Sequence, residues 1–141
     1  MTLLIRLAFA ASLAVAGVAH AYLYVHGYRH IPDIGVSFLV QAGASFALGL
    51  LILLGGPGWL RWAGAAVAGG SLVAFALSRT VGLLGFSERG WDPAPYAAMS
   101  VGAEVVAVLL WAVDWVIRRM PSRWHPGHSE LQKARGPSTS A

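Results

Sequence analysis

The chain has 141 residues, of which 57% are apolar and only 11% are charged. A soluble domain typically carries about 25% charged residues, so this chain has too few charges to cover its surface in water. The composition therefore excludes a soluble enzyme, a disordered tail protein and a coiled coil, and it predicts an integral membrane protein. The chain contains no cysteine, which excludes disulfides, thiolate metal sites and iron–sulfur clusters.

Four apolar stretches are long enough to cross a bilayer as helices. A bilayer core about 30 Å thick needs roughly 20 residues of helix. Such spans are predicted at residues 4–24, 34–54, 62–84 and 96–117. The connections between them are short and contain prolines, so neighbouring helices must run antiparallel. We therefore predict an all-α transmembrane four-helix bundle with up-down-up-down topology over residues 1–117.

The basic residues are divided unequally between the two ends of this bundle. Seven of the ten Lys and Arg residues share a side with the N-terminus, the second connection and the tail. Because cytoplasmic segments carry an excess of Lys and Arg, both termini are predicted to be cytoplasmic in a multi-pass plasma-membrane protein. Residues 118–141 form a basic, largely disordered tail in this interpretation, and Arg118, Arg119 and Arg123 contact anionic lipid headgroups. No aromatic-interleaved basic patch is present, which argues against a nucleic-acid partner.

The first apolar stretch has a second interpretation. Arg6, the apolar residues after it and the Ala19-His20-Ala21 triplet resemble a signal peptide with its cleavage site. Cleavage before Tyr22 would leave three spans with the same orientation. We favour retention of the segment, because the stretch is long enough to span and a His beside the cleaved bond is unusual.

Small residues recur at four-residue spacing in the third span, as in the pairs Ala65/Gly69 and Ala66/Gly70. Helices in a membrane associate through close packing of such residues. The pattern predicts that the third helix lies in the densest packing of the bundle. A bulky residue at Gly69 is accordingly expected to be more damaging than one at Leu53.

Each span carries a polar residue in its predicted outer half, namely His20, Gln41, Arg79 and Glu104. One hypothesis is a buried Arg79–Glu104 ion pair, completed by the other two side chains, that fixes helix register. The other hypothesis is a small polar pocket open to the outer face. Both predict that Glu104→Ala harms the protein. At the inner end, Asp114 precedes Arg118 by four residues, which predicts an ordinary i,i+4 pair.

His26 and His30 in the first connection are a weak candidate metal site. Their i,i+4 spacing would place two imidazoles on one helix face, a geometry suited to zinc, copper or haem. Gly27 and Pro32 make a continuous helix doubtful here. No cofactor is therefore predicted.

Several short stretches carry a resemblance to a group of proteins. They are Gly27-Tyr28-Arg29-His30-Ile31-Pro32-Asp33-Ile34-Gly35, Leu77-Ser78-Arg79-Thr80-Val81-Gly82-Leu83, and Trp91-x-Pro93 before a span carrying Glu104. With these features, residues 19–110 resemble small four-span integral membrane proteins of high-GC bacteria. The resemblance implies an architecture but no activity.

The chain lacks recognisable catalytic motifs, including a nucleophile elbow, a zinc-protease motif and a phosphate-binding glycine loop. We therefore expect a membrane protein without catalytic activity. It would act as an accessory or partner subunit or as a small binding module, in contact with membrane lipids and with a membrane-protein partner or a second copy. One alternative is a metal- or haem-binding redox protein that uses His20, His26, His30 and Glu104. Another is a lipid- or quinone-binding protein that uses the outer-half pocket.

Overall fold

The computed structural model describes residues 1–120, which form four long α-helices. These are α1 (Leu3–His26), α2 (Ile34–Leu53), α3 (Trp59–Thr80) and α4 (Tyr96–Arg119), with a short 3-10 helix at Tyr28–His30. Residues 1–120 contain no named strand. Each of the four helices is long and apolar enough to cross a bilayer. The predicted all-α four-helix bundle is confirmed, and the chain is a multi-pass membrane protein. Arg123 and the rest of the predicted tail after Met120 lie outside the described residues.

The two ends of the bundle differ in their connections. Residues 27–33 and 81–95 lie at one end, which we call the two-loop end; the sequence predicts that it faces outward. Residues 54–58 lie at the other, which we call the single-loop end. The helix α3 begins at Trp59 and ends at Thr80, whereas the sequence predicted residues 62–84. It ends early because Gly82 and Leu84 have positive φ and the backbones of Leu83 and Phe86 exchange two hydrogen bonds, which form a tight turn.

The first helix, rather than the third, is the most deeply packed. It packs against both α2 and α4 and contributes nine buried residues, whereas α3 contributes four. A core cluster nearer the single-loop end joins all four helices; its buried members are Phe9, Leu13, Ile52, Leu60, Ala68 and Ala107. The prediction that the third helix lies in the densest packing is therefore wrong.

Close approach between helices occurs at particular glycines. A Cβ added at Gly64 of α3 would lie 3.0 Å from the ring of Phe9, and one at Gly49 of α2 would lie 3.3 Å from the carbonyl oxygen of Ala10. A Cβ at Gly69 would meet nothing within 4 Å. The expected sensitivity of Gly69 is therefore not supported, because the close contact of α3 is five residues earlier, at Gly64.

Charged groups near the single-loop end converge on Asp114. The Nε of Arg118 donates to Oδ2 of Asp114 at 2.8 Å, which confirms the predicted i,i+4 pair. The same carboxyl lies 3.7 Å from Arg61 Nη1 and 3.2 Å from the amino group of Met1. The guanidinium of Arg119 lies 4.2 Å from the ring centre of Trp115. Contact of Arg118 and Arg119 with lipid headgroups remains a prediction.

Candidate functional site

A cavity of about 200 Å³ lies among the four helices, in the half of the bundle nearer the two-loop end. Its lining includes all four residues that the sequence placed at similar depth, His20, Gln41, Arg79 and Glu104. Each comes from a different helix, and His20, Gln41 and Glu104 lie deeper in the bundle than Arg79, which is one residue from the end of α3. The structure thus brings the predicted polar residues to one enclosed space.

Five polar residues form the inner wall of this cavity, which we call the floor. Its centre is the carboxyl group of Glu104, which is 1% exposed. The hydroxyl of Ser100, one turn earlier on α4, donates to Glu104 Oε1 at 3.0 Å. Ser71 and Gln41 also line this part of the cavity. Gln41 Nε2 donates to the backbone carbonyl of Val67 at 3.3 Å, and His20 Nδ1 is 3.8 Å from the carboxyl group. The floor is thus a buried carboxyl surrounded by hydrogen-bonding groups from all four helices.

The imidazole of His20 joins three of those helices. Its Nδ1 lies 2.9 Å from the carbonyl oxygen of Ala16, one turn back on α1. The hydroxyl of Ser71 on α3 is 3.3 Å from Nε2, and that of Ser100 on α4 is 3.3 Å from Nδ1. When Nδ1 donates to Ala16, Nε2 is left to accept from Ser71. The ring is therefore held in one orientation beside Glu104.

The opposite wall of the cavity, at the two-loop end, is a second polar group that we call the roof. Arg79 Nη1 pairs with Glu88 Oε2 at 2.8 Å, and the phenol of Tyr28 donates to the other oxygen of Glu88. Arg79 also donates to the backbone carbonyl of Asp92. Burial, and then the hydrogen bond to Glu88, raises the pKa of the Tyr28 phenol above its usual value. The roof thus ties the loop of residues 81–95 to the end of α1.

The expected ion pair between Arg79 and Glu104 is not formed, and this prediction is wrong. Glu104 lies eight residues into α4, which is about 12 Å from its start. Arg79 lies one residue before the end of α3 and reaches the loop instead. The carboxylate of Glu88, in the loop that follows α3, lies closer to the end of this helix and pairs with the guanidinium of Arg79. Loss of Glu104 would therefore not strand Arg79.

Apolar side chains separate the floor from the roof. Ser71 and Arg79 are eight residues apart on α3, so the two walls lie about 12 Å apart along the helix. The ring of Phe38 lies 5.1 Å from that of His20 and stacks on Tyr28 at 4.6 Å. The other apolar lining residues within helices are Leu23, Ile34, Ala74, Phe75, Ala97 and Val101. The cavity therefore has an apolar middle and polar ends, which suits a small molecule with an apolar body.

Two of the cavity's helical lining residues, Ser37 on α2 and Gly70 on α3, are exposed at the surface of the bundle. A second cavity, of about 510 Å³, lies at the two-loop end and shares five lining residues with the first, namely Leu23, Tyr28, Phe86, Glu88 and Pro93. The roof thus separates the inner cavity from a space at the two-loop end.

His26 and His30 do not share a helix face. Gly27 has extended φ and follows the last residue of α1, so the predicted i,i+4 geometry does not exist. His26 Nδ1 bonds to the carbonyl of Tyr22, and His30 Nε2 accepts from Arg29 Nε at 2.7 Å. Within residues 1–120, no group of three or more His, Asp or Glu side chains is placed to hold a metal ion. The described geometry therefore gives the weak metal site no support.

Three residues of the site escaped the sequence analysis. Ser71 shares a helix face with Ser78, seven residues later, and that spacing could have revealed it. Tyr28 and Glu88 lie in loops, where no periodicity predicts which side chains meet. Comparison with known protein families, curated proteins and solved structures returned no match to the chain.

Proposed function

We propose that this is a plasma-membrane protein without catalytic activity that acts as a small binding module. Its ligand would be a small molecule with an apolar body, and it would bind in the cavity between the floor and the roof. The observation that carries this proposal is the cavity itself, with its polar ends and apolar middle. Ligand pockets in proteins combine mostly apolar walls with a few fixed polar groups in this way.

The floor includes a serine, a histidine and a carboxyl group, which are the residue types of a hydrolytic triad. Ser71 Oγ lies 3.3 Å from His20 Nε2, which resembles the order of a catalytic relay. However, Ser71 lies within α3, where backbone N–H groups bond along the helix and are not free to stabilise an oxyanion. His20 Nδ1 also lies closer to the Ala16 carbonyl than to Glu104. These features favour binding over catalysis.

The proposal is tested by filling the cavity. Ala74 lines the cavity, whereas Ala76, two residues along α3, is exposed and outside the lining. The protein would be extracted into lipid nanodiscs without detergent washing, and copurifying lipids, quinones and other small molecules would be identified by mass spectrometry. We expect a molecule enriched over empty nanodiscs in the natural chain and in Ala76→Trp, and lost in Ala74→Trp.

Two outcomes would contradict the proposal. One is the absence of any enriched molecule in every preparation, and the other is equal enrichment in the two variants. Ala74→Leu provides a milder filling variant if the tryptophan prevents assembly. Enrichment of a lipid or a quinone would support the lipid- or quinone-binding function that the sequence analysis gave as an alternative.

A partner-subunit role is the second candidate. Ala66 and Gly70 are exposed on α3 at four-residue spacing, and a Cβ at Gly70 would meet nothing within 4 Å. Such a pair can receive a helix of another membrane protein or of a second copy. Crosslinking in native membranes, with Ala66→Leu as the interfering variant and Val73→Leu as the control, tests this role. Repeated recovery of an uncrosslinked monomer would count against it.

The proposed orientation places both termini in the cytoplasm. The asymmetry of Lys and Arg supports it. Reporter fusions after residue 141 and within residues 85–90 test it, since the first should be active only in a cytoplasmic reporter format and the second only in an extracytoplasmic one. The reverse pattern would overturn this orientation.

A further inference from the structure

The charges that line the cavity do not balance. The lining contains two carboxyl groups, on Glu88 and Glu104, and one guanidinium, on Arg79. Arg79 is engaged by Glu88 and by the backbone carbonyl of Asp92. Among the described residues, no Lys or Arg side chain lies within ion-pair distance of Glu104, whose ionisable neighbour is His20 at 3.8 Å. The floor therefore holds a carboxyl group without a permanent cationic partner.

A carboxylate at membrane depth needs either a proton or a cation. Transfer of an isolated carboxylate into hydrocarbon is strongly unfavourable. The hydroxyl of Ser100 nevertheless donates to Glu104 Oε1 at 3.0 Å. Such a donor favours the ionised carboxylate over the acid. The surroundings of Glu104 thus fit a carboxylate that completes its charge balance with a cation inside the cavity.

The rest of the floor suits an ammonium group. The hydroxyl oxygens of Ser71 and Ser100 can accept hydrogen bonds beside the carboxylate, which matches the three N–H donors of a primary ammonium. The ring of Phe38 lies near His20 at the floor, and Phe75 follows Ser71 by one helical turn. Aromatic faces attract cations and also pack well against another ring. The apolar middle of the cavity therefore fits an aromatic ring attached to that ammonium.

We propose that the cavity binds a protonated arylalkylamine, in which a primary ammonium group on a short carbon chain carries one aromatic ring. The ammonium pairs with Glu104 in the floor, and the ring lies in the apolar middle of the cavity, which Phe38, Ala74 and Phe75 line. The roof, with the hydroxyl of Tyr28 and the carboxylate of Glu88, faces the far side of the ring and can bond to a polar substituent there. The length of about 12 Å between floor and roof accommodates such a molecule. This inference depends on the proposed binding function and specifies its ligand.

A series of three ligands tests the charge requirement. The protein in zwitterionic nanodiscs would be titrated with 2-phenylethylamine, 2-phenylethanol and 3-phenylpropanoate, which share a phenyl ring on a short chain and differ in charge. Empty nanodiscs supply the partitioning baseline. We expect saturable binding of the amine, with the alcohol and the carboxylate weaker by about tenfold or more, because they leave the buried carboxylate unpaired.

Two matched variants locate the charge. Glu104→Gln keeps the size of the side chain and removes its charge, and we expect it to weaken amine binding by about tenfold or more. Asp114→Asn makes the same chemical change on α4 outside the cavity lining and is expected to leave amine binding unchanged. The ligand series remains informative if Glu104→Gln fails to fold.

Each contrary result has a separate meaning. Equal binding of amine and alcohol would overturn the inference and indicate that a proton neutralises Glu104. Unchanged amine binding by folded Glu104→Gln would overturn it as well. In either case the binding function stands if Ala74→Trp still loses a copurified molecule, and it fails separately if that variant and Ala76→Trp behave alike.

Discussion

The helices α3 and α1 approach closely at Gly64, so the structure predicts that a side chain added there destabilises the bundle. The spacing of small residues in the sequence pointed instead to Gly69. A Cβ at Gly64 would lie 3.0 Å from the ring of Phe9 and 3.2 Å from Cδ1 of Leu13. Phe9 and Leu13 are 0% and 1% exposed, so neither can move out of the way into solvent or lipid. Overpacking of a filled core typically costs about 1–3 kcal/mol. Gly64→Val adds two further methyl groups to this contact, so we expect a loss of about 2–3 kcal/mol in the free energy of unfolding.

Gly69→Val is the matched control on the same helix. A Cβ there meets nothing within 4 Å, and the change in helix propensity is the same for both substitutions, so it cancels in their difference. Reversible unfolding by SDS in mixed micelles, followed by tryptophan fluorescence, measures both free energies. We expect Gly64→Val to be the less stable variant by about 2 kcal/mol. Equal destabilisation of the two variants would refute the packing described for α1 and α3.

Further predictions concern single polar groups. Because the folded-state pKa of Tyr28 is raised, its stabilising contribution is complete below its ordinary pKa of about 10 and is lost as pH rises through the folded value; Tyr28→Phe should therefore remove part of the alkaline loss of stability seen by circular dichroism. A double-mutant cycle of Arg79→Gln and Glu88→Gln should give a coupling of about 1 kcal/mol in SDS unfolding, and a coupling near zero would contradict their ion pair. The hydroxyl of Ser45 is buried without a hydrogen bond to the described residues, so Ser45→Ala should leave stability equal or about 1 kcal/mol higher, whereas Ser100→Ala should lower it by about 1 kcal/mol.

The spans and the depth of the polar residues follow from the sequence. Long apolar stretches allow few structures in a bilayer, because every backbone polar group must bond within its own segment. The same rise per residue that fixes span length also fixes depth. For this reason His20, Gln41 and Glu104 could be expected at one level, and Asp114 could be paired with Arg118 by spacing alone.

The interaction partners of those side chains cannot be predicted from the sequence in this way. Depth does not determine which face of a helix turns inward, so the stripes of small residues in α3 could not distinguish Gly64 from Gly69. The partner of Arg79 depends on the loop that carries Glu88, and loop conformation has no periodic signal. The separation of His26 from His30 could not be predicted either. The helix α1 ends at His26, and the extended φ of Gly27 turns the following residues away from the helix axis, so the two imidazoles do not share a helix face.

The central claim is that a cavity lies inside the four spans, and cysteine reactivity tests it most directly. The chain has no cysteine of its own, so single cysteines can be placed at Ala74, in the cavity lining, and at Ala76, which is exposed outside it. A thiol ionises and reacts where water reaches it, as beside the polar floor one helical turn from Ala74, but not in hydrocarbon. In native membrane vesicles we expect N-ethylmaleimide to modify Ala74→Cys at least about tenfold faster than Ala76→Cys. Equal rates, or faster modification of Ala76→Cys, would contradict the cavity.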